Sequence, residues 1–297
     1  MRVEFFGVRG SHAVTAPTFQ KFGGNTSCVL VTVGDRRIVL DAGTGLIALG
    51  RRVFSQGPPF GATILFSHYH HDHLAGLGYF GPLFVPTAQF VFAGPRMAGQ
   101  GVEEVLQAYL AQPFSPVQLD DMTARKTLLT VGERHELVFT RGVFEPQLVD
   151  VCDQERPDPA SVEVRVKILH GLGHPRNGVI FYRIEAGGHS LVYATDTEGF
   201  HGGDQRLVRF AQGADLLIHD AMYTGEKYTG SFVPPQGWGH STPEMALQIA
   251  EQAGVPRLCL FHHDPMNDDA AISRLEAAAQ ARLPGAFAAR EGLEISL

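Results

Sequence analysis

Five short apolar runs, each ending in polar or glycine-rich residues, constrain the fold of this chain more than any other feature. Arg36 to Asp41, Ala62 to Phe66 and Leu191 to Ala194 are such runs, Ala214 to Ile218 leads into His219-Asp220, and Arg257 to Phe261 leads into His262-His263-Asp264. They are too short for helices and are bounded by turn formers, so they read as buried strands. Open sheets take ligands in the crevice beyond their strand ends, and the pattern therefore implies one shared site built from loops.

Helices are fewer. The spacing predicts one over Val102 to Ala111 and a second through Ala253, with Thr242 or Ser241 as N-cap, Pro243 in the first turn and Gly254 closing it. A third covers Asp268 to Arg282, with Ile272, Leu275 and Ala279 as its apolar stripe. Between Gly94 and Pro159 the pattern is less regular and carries Pro113, Pro116, Pro146, Pro157 and Pro159. This stretch, 94–159, reads as an insertion covering the site within a single domain of residues 1–297.

With 44% hydrophobic and 19% charged residues, the composition is that of a globular protein. No run approaches the roughly 18 apolar residues of a membrane helix. An acid, Glu4, stands where a secretory signal would be basic, so the expected location is the cytoplasm. A net charge of −7 disfavours general affinity for nucleic-acid backbones. Cys28, Cys152 and Cys259 lack paired spacing and read as buried small hydrophobes. The 14 histidines stand out, because several fall in short clusters of the kind that bind metal.

The densest cluster is Ser67-His68-Tyr69-His70-His71-Asp72-His73, directly after a strand, with Leu74-Ala75-Gly76-Leu77 read as the start of a helix. Imidazole and carboxylate donors suit Zn, Mn or Fe. His68, His70, Asp72 and His73 form the His-x-His-x-Asp-His pattern, and in this the chain resembles the metallo-β-lactamase fold superfamily. Leu40-Asp41-Ala42-Gly43-Thr44-Gly45 is similar to that family's second motif, whose aspartate supports the metal-site loop.

The resemblance implies an α/β fold, a four-layer αββα sandwich with a dinuclear site at one edge of its two central sheets. It also implies further ligands in chain order: His174, with His170 as competitor, then Asp196 as the shared carboxylate, then His262, with His263 beside it. The implied set is His68, His70 and His174 on one divalent ion and Asp72, His73 and His262 on the other. Zn is expected first and Mn or Fe next.

Leu217-Ile218-His219-Asp220-Ala221-Met222-Tyr223 and Gly239-His240-Ser241-Thr242 resemble the phosphodiesterase-like branch that contains ribonuclease Z. There an acid pairs with a histidine that assists leaving-group protonation. Here Asp220 stands where that branch has glutamate, so Asp72, Asp220 and His240 are the implied catalytic residues. Gly7-Val8-Arg9-Gly10-Ser11 and Gly23-Gly24-Asn25-Thr26-Ser27-Cys28 look like a bacterial group described as cyclic-nucleotide phosphodiesterase-like, with Arg9 either facing a phosphate or pairing with an acid. His12, His135, His189 and His201 match no motif and read as surface or packing residues.

The leading expectation is hydrolysis of a small phosphodiester such as a cyclic nucleotide, by attack of metal-bound hydroxide. RNA 3′-end processing is the nearest alternative, although no basic Gly/Pro-rich arm is apparent. Thioester or lactone hydrolysis follows, and then a non-catalytic metal-binding carrier. Phe232, Trp238 and Tyr223 are aromatic residues that could stack a base or pack a loop. Related folds commonly form homodimers.

Overall fold

In a computed structural model, which describes residues 1–297 other than Gln154, Arg176, His201 and Ser231, the apolar runs pair into two sheets. The chain first lays down β1 (Arg2–Gly7), β2 (Cys28–Val33), β3 (Arg36–Leu40), β4 (Gly61–Leu65), β5 (Gln89–Pro95) and β6 (Arg125–Val131). It then builds β7 (His135–Thr140), β8 (Gln147–Asp150), β9 (Val162–Gly171), β10 (Val179–Ala186), β11 (His189–Ala194), β12 (Leu216–Asp220), β13 (Leu258–Phe261) and β14 (Ala286–Ala288). A last strand, β15 (Glu294–Ser296), returns to the first sheet beside β1.

The strand orders are β15-β1-β2-β3-β4-β5-β6 and β14-β13-β12-β11-β10-β9-β7-β8. From β3 to β6, and again from β11 to β14, neighbouring strands run parallel. In the register, Leu40 sits beside Leu65, Ala194 beside His219 and Asp220 beside Phe261. The residues just past β3, β4, β11, β12 and β13 are thereby delivered to one edge, as the five runs predict.

The inner faces of both sheets meet in one core that includes Val31, Leu40, Tyr182, Ile218 and Phe261. On the outer face of the first sheet lie α1 (Gly45–Gln56) and α2 (Val102–Tyr109), with Leu46, Leu49 and Leu106 against Ile64 and Phe92. The other outer face carries α3 (Gln205–Ala211) and α5 (Pro243–Ala253), with Leu207, Ala246 and Ile249 against Val192 and Leu217. The short α4 (Gly225–Gly230) lies between β12 and α5, and α6 (Asp269–Arg282) packs beside β14. This is a four-layer αββα sandwich. Among the described residues no helix is long and apolar enough to cross a membrane.

Local signals held where they were local. Thr242 caps α5 by accepting from Met245 N, Pro243 opens the helix, and Gly254 ends it at φ 67°. Segment 94–159 is built into both sheets, since it supplies the end of β5, then α2, β6, β7 and β8. It reads as irregular because β6 and β8 are edge strands and carry polar, half-exposed residues. Two expectations are corrected, that of a helix directly after His73 and that of a buried Cys152. The turn after His73 does not start an α-helix but passes through short 3₁₀ turns at His71–His73, Leu77–Tyr79 and Gly81–Phe84. Gly76 is required there, because a Cβ would lie 2.1 Å from the Gly43 carbonyl oxygen. Cys152 is exposed, whereas Cys28 and Cys259 are buried.

Phe261 is fully buried between the sheets, 6.2 Å from the Phe5 ring and 5.7 Å from that of Tyr193. Phe261→Ala is expected to destabilise the protein by about 3–5 kcal/mol, read as a lower urea midpoint at an unchanged slope.

Candidate metal centre

The loop after β4 takes its shape from Asp41. This fully buried carboxylate, just past β3, accepts from Ser67 N at 2.7 Å, Ser67 Oγ at 2.8 Å and Tyr193 Oη at 2.8 Å, and lies 2.9 Å from His73 Nδ1. The bond at Nδ1 turns the other nitrogen of His73, Nε2, toward Asp196 Oδ2 at 3.2 Å and Asp72 Oδ2 at 3.3 Å.

Three groups of potential ligands result, with their donor atoms within 4.8 Å of one another in each: Asp196, Asp220, His240 and His262, which overlaps the second of two others, His68, His70 and His174, and Asp72, His73, Asp196 and His262. Asp196 faces both of these two. Its Oδ1 lies 3.7 Å from His68 Nε2 and 3.9 Å from His174 Nε2, while its Oδ2 lies 3.3 Å from His262 Nε2. Asp72 Oδ2 also accepts from Ser11 N at 2.8 Å.

Residues predicted in pairs separate cleanly. His174 is buried, with Nδ1 3.2 Å from the Gly239 carbonyl and Nε2 3.0 Å from His70 Nδ1. His170 lies within β9, and its Nε2 is 3.4 Å from the Asn177 carbonyl. His263 turns away from the cluster and places Nε2 2.8 Å from the Ala289 carbonyl, and burial pulls its imidazole down to about 3. Gly10 lets the N-terminal loop close over His262, since a Cβ there would meet the ring at 2.4 Å.

The electrostatics fit cations. Nε2 of His68 and Nε2 of His73 are buried and make no hydrogen bond, as expected of lone pairs kept for a metal. Burial holds His68, His70 and His174 below the usual imidazole range, leaving neutral rings able to coordinate. Around His73 burial acts in the same direction, but the charges of Asp196, Asp72 and Asp41 outweigh it and hold the imidazole well above that range. So much buried negative charge in one place calls for positive charge beside it. Asp41, Asp196 and His262 all adopt the left-handed backbone conformation, at φ 60°, 52° and 60°, which aims their side chains back into the edge.

Beside this cluster His240 Nδ1 lies 2.7 Å from Asp220 Oδ2. Asp220 Oδ1 accepts from Met222 N and Ser241 N. The His240 ring stacks on His262 with centroids 4.9 Å apart, and Tyr223 packs edge-on against it. Burial lowers the His240 imidazole, but the Asp220 charge and hydrogen bond, with Asp196 and Asp72 behind them, push it up to about 9. A cleft of about 950 Å³ opens next to His174, lined by Leu172, Pro175, Glu198, Phe200, Tyr228 and Met245.

Arg9 makes its hydrogen bonds to backbone carbonyls, with the charges of Asp269 and Glu291 nearby. It is fully buried and donates to the carbonyls of Gly23, Asp264 and Asn267. Of the aromatic residues, Tyr223 is buried while Phe232 and Trp238 are exposed. His12 is exposed and contacts the carbonyl of its neighbour Ala13, His189 pairs with Asp215, and His135 Nδ1 accepts from Gly132 N, whereas His201 lies outside the described residues. Residue type alone did not reveal Ser11, which acts through its backbone N–H, or Tyr193, whose hydroxyl reaches Asp41 from the other sheet.

Residues 36–263 match the family model of the beta-lactamase superfamily domain. The chain belongs to the metallo-β-lactamase superfamily. All the clustered potential ligands fall inside the matched span, and the superfamily fold carries divalent metal ions. Among named members, ribonuclease Z of Haloferax volcanii is 25% identical, covering 100% of this chain and 95% of that protein. Ribonuclease Z of Brevibacillus brevis is 41% identical over 28% of this chain, and the match spans only 23% of that protein's length. Two solved structures share the fold. The metallo-β-lactamase fold protein YhfI from Bacillus subtilis has a TM-score of 0.67 at 20% identity, covering 99% of this chain and 98% of the other. A diphosphatase from the PhnP family has a TM-score of 0.65 at 15% identity, covering 100% and 97%. The protein is a metal-dependent hydrolase of this superfamily.

Removing the Asp41 charge while keeping its shape tests how far that residue governs the centre. Asp41→Asn is expected to keep native circular dichroism but to weaken metal retention about 10–100-fold, measured as metal content against rising chelator.

Proposed function

We propose that this chain is a dinuclear metal-dependent phosphodiesterase acting on a small phosphodiester such as a cyclic nucleotide. The observation that carries the reading is the Asp220–His240 pair, held at 2.7 Å and stacked on His262 at the rim of two adjoining ligand clusters. In this reading His68, His70 and His174 hold one divalent ion, Asp72, His73 and His262 hold the other, and Asp196 is shared. The donor set suits Zn first, and Mn or Fe as well. When bound, two such ions supply an activated water and stabilise charge on the phosphoryl oxygens.

The protein's own groups do the rest. Asp220 fixes His240 through Nδ1 and leaves Nε2 to give a proton to the departing alkoxide. Ser11 N and the His262 ring orient Asp72, so that its carboxylate stays directed at the cluster. An acidic protein can still draw a small anion to a locally cationic site.

The small-substrate preference rests on the net charge of −7 and on the cleft, where Glu198 is the charged residue among the described lining residues, His174 aside. RNA 3′-end cleavage is the second reading, favoured by the full-length likeness to a ribonuclease Z. A polyanion would need phosphate contacts from Lys or Arg, so parallel assays on cyclic nucleotides and on a transfer-RNA precursor separate the two.

Asp196→Asn in metal-replete protein is expected to abolish turnover of bis(p-nitrophenyl) phosphate, and a chelator is expected to do the same reversibly. His240→Ala should act selectively, costing about 10²–10⁴-fold where the leaving group needs a proton and far less for p-nitrophenolate, which leaves without one. Equal losses on both kinds of substrate would remove His240 from the acid role.

A further inference from the structure

Two residues past Asp196, Glu198 sits where three loops of the site meet. Its carboxylate gathers donors from the chain between β12 and α5: Tyr228 Oη at 2.6 Å and Gly237 N at 2.8 Å on Oε1, and Gly239 N at 2.9 Å on Oε2. Its own N–H donates to the Gly173 carbonyl at 3.2 Å, one residue before His174. On either side, Ser241 Oγ donates to the Thr197 carbonyl at 2.6 Å and accepts from Gly199 N at 3.1 Å.

The Gly239 peptide group is the centre of this arrangement. Its N–H is taken by Glu198, and its carbonyl lies 3.2 Å from His174 Nδ1. Gly239 holds φ 88°, and a Cβ would come within 2.4 Å of His174 Nδ1, so this close approach is open to glycine alone. The next residue is His240. The Glu198 carboxylate thus fixes the peptide plane from which the His240 side chain springs, while that same plane fixes the tautomer of His174.

Between Lys227 and Gly239 the chain leaves Phe232 and Trp238 exposed, and Lys227 on Asp264 is a further charged tie there. Ionised acceptors with several N–H and O–H donors give strong, directional hydrogen bonds, and Glu198 has three such donors spread over twelve residues of one loop.

We propose that Glu198 is a positioning residue for proton transfer: by clamping Tyr228, Gly237 and Gly239 it holds His240 at the height over the cluster where Nε2 meets the leaving group. This inference rests on the reading of His240 as the acid. Misplacing a catalytic group by about 1 Å can cost about 10²-fold, and a defect in proton delivery grows with the basicity of the leaving group, whereas loss of metal or fold does not.

The test compares Glu198→Gln, His240→Ala and the double variant, all metal-replete. Turnover is measured on aryl phosphodiesters of rising leaving-group basicity, from bis(p-nitrophenyl) phosphate to diphenyl phosphate, and metal content is measured alongside. Glu198→Gln is expected to lose about 10–100-fold on diphenyl phosphate and less than about threefold on bis(p-nitrophenyl) phosphate, with metal content unchanged. Adding it to His240→Ala should cost nothing further, because the clamp acts through that ring. Tyr228→Phe, which removes one of the three donors, should show the same selectivity in weaker form, and it decides the matter if Glu198→Gln does not fold. Equal losses on both substrates, loss of metal, wild-type behaviour or additive losses in the double variant would overturn the role of Glu198 while leaving His240 intact. An unselective His240→Ala would instead overturn the acid role and the clamp together.

Discussion

A carboxylate buried in the interior is costly unless every lone pair it offers is used. Asp41 meets that condition with four partner groups on three residues: the Ser67 amide and hydroxyl, the His73 imidazole and the Tyr193 hydroxyl. Ser67 and His73 bracket the metal-site loop, so their shared acceptor sets the loop's span. Tyr193 belongs to the second sheet, so the same group also ties the two halves of the sandwich together at the edge where the chemistry sits.

The arrangement explains how the fold and the site depend on each other. Parallel neighbours bring the ends of β3 and β4 together in one sheet and those of β11, β12 and β13 in the other, and the core between the sheets sets how far apart the two groups lie. One half contributes His68, His70, Asp72 and His73, and the other His174, Asp196 and His262. The group of His68, His70 and His174 and that of Asp72, His73, Asp196 and His262 each draw residues from both halves, which gives the superfamily match over residues 36–263 a physical meaning.

Much of this was legible in the sequence because it is local. Strand ends, the His-x-His-x-Asp-His loop and the capped start of α5 are written in consecutive residues. His174 was harder to separate from His170, since the difference is whether the residue lies inside β9 or past its end. Edge strands β6 and β8 escaped notice because solvent on one side removes the apolar signature of a strand. Contacts made by backbone groups, such as Ser11 N on Asp72, leave no trace in residue type at all. Tyr193 on Asp41 joins residues 152 positions apart, a separation that only the packed sheets reveal.

Asp41, Asp196 and His262 share a backbone conformation that side-chain-bearing residues avoid, at about 1–3 kcal/mol each. Glycine would relieve that strain at all three positions while deleting a carboxylate or an imidazole the centre needs. Backbone strain and side-chain function are therefore inseparable at these strand ends, because a residue that relaxed the chain there would remove a group on which the geometry of the site is built.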